Sequence, residues 1–69
     1  MEQVIITIDT LNDAFGDDAE SKRLELARIL RKMANSLETG VEPTHLSDLN
    51  GNVVGLVSYV FPEEHESDK

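Results

Sequence analysis

One segment, Ala19 to Glu38, dictates most of what this 69-residue chain can become. Leu26, Ile29, Leu30, Met33 and Leu37 recur at spacings of three and four, the period of an amphipathic α-helix with one apolar stripe. Asp17 or Asp18 can cap its amino end and Glu20 suits the positive end of the helix dipole. Gly40 supplies the left-handed residue that commonly ends a helix. Such a stripe must be covered, and a domain of this size buries only about 60% of the surface its unfolded chain exposes. The chain has no cysteine, so neither a disulfide nor a thiolate metal site can substitute for packing. The cover therefore has to come from the remaining residues as one small core.

Those residues read as strands. In "EQVIITIDT", Val4, Ile6 and Ile8 alternate with Ile5 and Thr7, the pattern of a strand with one buried face. "LNDAFGDD" is loop-forming, and its one aromatic, Phe15, is expected to fold back over an end of the core. Pro43 breaks the chain after the helix. Beyond it, a short strand from His45 to Leu49, a turn at Asn50-Gly51 and a longer strand from Asn52 to Phe61 make a hairpin. The turn is expected to be type I′, with positive φ at both central residues. Gly55 suggests a bulge or a close approach to the helix. The fold class expected is α+β in the order β-α-β-β. The helix packs on a three-stranded sheet, burying its stripe against Val4, Ile6 and Ile8. The last strand is central and antiparallel to both neighbours. The other face displays Ile5 and part of the set Val53, Val54, Leu56, Val57, Tyr59 and Val60. Residues 1–61 form the single domain, and 62–69, "PEEHESDK", a flexible acidic tail.

Asp48, Asn50 and Asn52 alternate like the first ligands of a calcium loop. In an EF-hand, however, the sixth position is glycine and the twelfth glutamate; here they are Val53 and Tyr59. The set Asp48, Asn50, Gly51 and Asn52 is assigned instead to a structural turn. His45 and His65 stand too far apart for a helical ligand pair, no glycine-rich phosphate loop precedes the helix, and no serine sits in a nucleophile arrangement. No catalytic residue, metal ligand or cofactor is assigned, and an enzyme is not expected.

Charge carries the remaining information. With 14 acids against 6 bases the net charge is −8, which opposes approach to nucleic acid or anionic membrane. Five of the six bases, Lys22, Arg23, Arg28, Arg31 and Lys32, lie in one helical stretch whose only acid is Glu25. The bland reading is a solvated helix face, and the sharper one a bipolar surface that meets a partner. Partner-binding candidates are Leu24, Arg28, Arg31 and Lys32 on the helix and Asp13, Asp17 and Asp18 before it.

The strand ending in "TLNDAF", the helix "ELARILRKMANSLETG" and the turn "LSDLNGNVVG" resemble a group of small phage and prophage proteins of uncharacterised function. In that group an Asn-Ala-Ala-Phe-like loop and an Asp-x-Asn-Gly-Asn turn flank a similar helix. The likeness spans about residues 4–56. This chain departs from it at Asp13, where the pattern has alanine, and in the Gly16-Asp17-Asp18 that follows Phe15. The resemblance implies a mobile-element origin, action in the host cytoplasm, and no catalytic residues to carry over. The function expected is a small acidic interaction module that binds and modulates a host or phage protein. One form is a DNA mimic presenting Asp9, Asp13, Asp17, Asp18, Glu42, Asp48, Glu63 and Glu64. The alternatives are a nucleic-acid accessory protein using the basic helix face, and a homodimer or larger self-assembly.

Overall fold

The structure is a computed structural model that describes residues 1–61; the tail expected at 62–69 lies outside them. Strand β1 (Gln3–Ile8) leads through a single 3-10 turn (Asp13–Phe15) to helix α1 (Ala19–Glu38), followed by β2 (His45–Ser47) and β3 (Val53–Val60). The sheet order is β1-β3-β2, and β3 is antiparallel to both neighbours. The architecture is thus α+β, one helix on a three-stranded sheet with the last strand central.

The helix ends follow the local chemistry. Asp18 is the amino-terminal cap, its Oδ1 accepting the Ser21 N–H at 2.7 Å. That bond holds the Asp18 carboxyl below the usual carboxylate range. At the other end Gly40 takes φ +93°. Its N–H donates to the Leu37 carbonyl and that of Val41 to the Ser36 carbonyl. This paired closure is the Schellman arrangement, which satisfies carbonyls the helix leaves without a partner.

Packing differs from the expected stripe. The core is Phe15, Ile29, Met33, Leu46 and Val57, with Ile8, Val54 and Tyr59 against it. Leu30 and Leu37 are exposed, as are Val4 and Ile6. The helix contacts the 3-10 turn and β2, so its stripe does not reach across to Val4 and Ile6. A single helix is about 10 Å wide while three strands span about 15 Å, and β1 is the strand left uncovered except at Ile8. Phe15 is more than a lid: at 0% exposure it is the most deeply buried side chain described.

The hairpin closes differently too. No non-glycine residue has positive φ, and Gly51 sits at +89°, so Asn50 does not make the left-handed turn expected of it. The Gly51 N–H donates to the Asp48 carbonyl at 3.0 Å and the Asp48 N–H to the Asn52 carbonyl at 2.8 Å. This is a three-residue loop, a type I turn closed by one left-handed glycine, for which Asp at the first position and Gly at the fourth are the favoured residues. The strands it joins are shorter than expected, because Leu49 lies in the loop and Asp48 and Asn52 form its closing pair.

Gly55 makes a close approach, but to β1 rather than the helix. A Cβ there would stand 2.7 Å from the Thr7 carbonyl oxygen and 3.0 Å from Ile8 Cγ1. Next to it the β2–β3 register slips, Leu46 opposing Gly55 and Ser47 opposing Val53, which leaves Val54 as an extra residue. Gly55→Ala is expected to cost about 1–3 kcal/mol, because strand backbone has to shift to admit the methyl. Urea denaturation checks this, and a change below about 0.5 kcal/mol, the scatter of an ordinary surface substitution, would mean that β1 is not held against Gly55.

Candidate functional site

The segment between β1 and α1 is short on apolar residues yet firmly built. Asp9 Oδ1 accepts the Leu11 N–H at 2.9 Å and Asn12 Oδ1 that of Ala14 at 3.0 Å, two turns made by side chains that imitate backbone carbonyls. The Phe15 N–H donates to the Asn12 carbonyl and that of Gly16 to the Asp13 carbonyl. Lys22 reaches back from the helix, its Nζ donating to the Thr10 carbonyl at 2.8 Å. Phe15 anchors the loop in the core.

The result is an ordered loop that holds Leu11 85% exposed. Beside it lies an open depression of about 650 Å³ lined by Thr7, Asp9, Leu11, Asn12, Val53, Val54, Gly55 and Leu56. Leu56 and Thr7 face each other across the β1–β3 register, as do Ile5 and Ser58. Together with Val60 they make the sheet face turned away from the core. Asp13, Asp17 and Asp18 follow along the same loop and are exposed. An apolar shelf with Asp9 in its lining, on a loop that carries three further exposed acids, is what this part of the molecule offers.

The helix face is less free than its charges suggest. Arg28 pairs with Glu25 through two bonds, Nε to Oε1 at 3.0 Å and Nη2 to Oε2 at 2.8 Å. Glu25 is itself buried and accepts the Leu49 N–H at 2.8 Å. Arg28, with this bond, holds the Glu25 carboxyl below the usual range against the opposing effect of burial. The pair ties the helix to the β2–β3 turn and belongs to the fold. With Lys22 also bonded internally, Arg23, Arg31 and Lys32 remain on the exposed surface beside Leu24, which is 65% exposed.

Asp48 is likewise structural. Its Oδ1 accepts the N–H groups of Asn50 and Asn52, each at 2.9 Å, and the residue is buried. N–H donors converge on this carboxylate, an arrangement suited to an anion held in place and unsuited to a cation. Among the described residues no three His, Asp or Glu side chains come together to hold a metal ion. No helix among them is long and apolar enough to cross a membrane.

Of the expected partner-binding residues, Asp13, Asp17 and Asp18 fall on one loop with the depression. Leu24, Arg31 and Lys32 share an exposed helix face, and Arg28 stands in an internal ion pair. Of the acids expected to imitate phosphates, Asp48 is buried, Asp18 caps the helix, and Glu63 and Glu64 lie outside the described residues. Leu11 and Glu25 were not singled out by pattern. Leu11 could have been, because it sits between two Asx-turn formers that fix its direction. Comparison with protein-family models, with curated proteins and with solved structures gives no match.

Proposed function

We propose that this protein is a non-enzymatic interaction module that binds a protein partner through the Leu11 loop and the adjoining outer sheet face. The observation that carries this reading is the ordered loop holding Leu11 in solvent beside an apolar depression. A loop fixed by its own hydrogen bonds loses little conformational freedom on binding, and an exposed leucine next to a preformed hollow suits an anchor contact. The acids along the loop select a partner whose contact surface is apolar with a basic rim. In the setting that the phage resemblance implies, the partner is a host or phage protein in the cytoplasm, and its activity changes when the depression is filled.

Nucleic-acid binding by the helix has less support, since two of its five bases are engaged within the fold. The DNA-mimic form is weakened in the same way, because buried or capping carboxylates cannot stand in for phosphates.

The test is capture of a partner from host-cell lysate on the immobilised full chain, followed by affinity measurement with the purified partner. Leu11→Asp is expected to weaken binding at least tenfold, the loss typical of an anchor residue. Asp13→Lys with Asp17→Lys should weaken it in a salt-dependent way, and Arg31→Glu with Lys32→Glu should leave it unchanged. Retention of affinity by Leu11→Asp, or its loss in the Arg31 and Lys32 variant, would move the site to the helix and overturn the assignment.

A further inference from the structure

We infer that two copies of this chain associate by pairing their β1 strands antiparallel across a two-fold axis, forming one six-stranded sheet with both helices on the same face. Among the described residues β1 is an edge, paired with β3 alone. Sheet edges in monomers are commonly blunted by lysine, proline, a bulge or short length. The other edge, β2, has three of these devices: it is three residues long, follows Pro43 closely, and has an irregular register. Strand β1 has none. Its six residues, "QVIITI", carry no charge.

Its exposed side chains sit on both sides of the sheet, with Val4 at 42%, Ile5 at 46% and Ile6 at 41% exposure. On the core side there is a matching surface. Lys32 and Ser36 line a small cleft with Pro43, His45 and Ser47, which places that flank of the helix over β2. The opposite flank, bearing Leu30 and Leu37 at 40% and 42% exposure, is therefore turned toward β1. Val4 and Ile6 on the core side of β1, and Leu30 and Leu37 on this flank, are all left exposed. A two-fold axis perpendicular to the sheet and midway between the two β1 strands sets these apolar surfaces of the two copies side by side.

The hydrogen-bond pattern permits this, and one register engages every outward-facing residue of the strand. The Asp9 N–H donates to the Val54 carbonyl at 2.9 Å, continuing the register in which Thr7 faces Leu56 and Ile5 faces Ser58. In an antiparallel ladder bonded pairs alternate, so Val4, Ile6 and Ile8 direct their N–H and C=O groups out of the edge. Placing Ile6 opposite Ile6 of the second copy makes Val4 face Ile8, and all three pairs can exchange bonds. Asp9 then stands across from Gln3 and Glu2 from Thr10, so no like charges oppose each other despite the chain's net −8.

Size sets the strength. A standard interface takes about 800 Å² from each partner, a little over half of it apolar. An aliphatic side chain of this kind offers roughly 60–120 Å² in all, so five of them, each under half exposed, give on the order of 100–250 Å² of apolar side-chain area. The backbone edge adds to it, and the total falls at the weak end of specific interfaces. A micromolar dimer is the expectation.

Sedimentation velocity on the full chain from about 5 to 500 μM, alongside amide hydrogen exchange, decides the matter. The expected result is a rise toward twice the monomer mass and concentration-dependent protection of the Val4, Ile6 and Ile8 amides. Ile6→Lys, and separately Val4→Lys, should raise the dissociation constant at least tenfold while circular dichroism stays unchanged. Exchange on the unaltered chain reports even where a variant fails to fold. A monomer throughout, with no added protection of these amides, would overturn the inference, as would a dimer protected elsewhere. Protection of β1 only on adding the captured partner would assign the edge to a strand of that partner instead of a second copy. Leu11→Asp should leave the dimer intact, so the partner site and the dimer fail or survive independently.

Discussion

Phe15→Ala is expected to abolish cooperative folding at 25 °C. Truncating a fully buried phenylalanine costs about 3–5 kcal/mol, and a single core in a chain of this size supplies net stability of about 3–5 kcal/mol. The two are equal within their spread. The loss is concentrated because Phe15 joins elements that have few other contacts: it holds the β1–α1 loop down and fills the space between Ile29, Met33, Leu46 and Val57. Far-UV circular dichroism and a thermal melt would show loss of the transition in Phe15→Ala. In Phe15→Leu, which leaves most of the volume filled, the transition should survive at lower temperature. A midpoint for Phe15→Ala within a few degrees of the unaltered chain would show that the core is organised around something else, since about 1 kcal/mol shifts the midpoint of so small a domain by about 4–8 °C.

Glu25→Ala is expected to cost about 1–3 kcal/mol, chiefly because the Leu49 N–H is left facing a partly buried site without an acceptor. Arg28 is 34% exposed on its side chain, and solvent screens its share of the pairing. The same residue predicts an acid dependence. The Glu25 carboxyl is held below its ordinary range in the folded state, first by the Arg28 hydrogen bonds, then by that cation's charge and the Leu49 N–H. A carboxyl depressed in this way contributes stability that is fully present above its unfolded pKa of about 4.3, and that is lost as pH falls through the lower folded value. Asp18 acts in the same direction through its bond from Ser21. Urea denaturation between pH 7 and pH 2.5 should show a midpoint that falls below about pH 4.3, with a shallower fall in Glu25→Gln. If the two chains lose stability in parallel, Glu25 is not the linked group.

How much of this was legible beforehand can be told from particular residues. The helix, a cap at Asp17 or Asp18 and the Gly40 stop were readable because each depends on chemistry within a few positions; that Asp18 is the cap needed the structure. Strand order was readable because a right-handed crossover sets the short strand parallel to the first, and the hairpin then returns the last strand antiparallel to both. The depth of burial was not. The pattern Leu26 to Leu37 shows which residues are apolar; the lateral placement of the helix decides which of them meet the sheet, and Phe15 and β2 set that placement. The turn was found but its type was not, because Asn-Gly is compatible with two closures. The Asp48 carboxylate, accepting bonds from Asn50 and Asn52, selects the three-residue one. Glu25 was passed over as one acid among bases, since its role depends on Leu49, 24 positions away. The Leu11 loop was marked by its acids, while the apolar side chain it presents needs the depression formed by β3 to be noticed.

The pairing of β1 with β3 also governs the order in which the molecule can assemble. Gln3 pairs with Val60 and Ile8 with Gly55, so β1, made before the other described strands, waits for nearly the whole described chain before its ladder exists. Helix α1 and the β2–β3 hairpin close over short separations, while β1 adds a contact order high for so short a chain. An uncharged edge strand is thus held without its partner until β3 has been made.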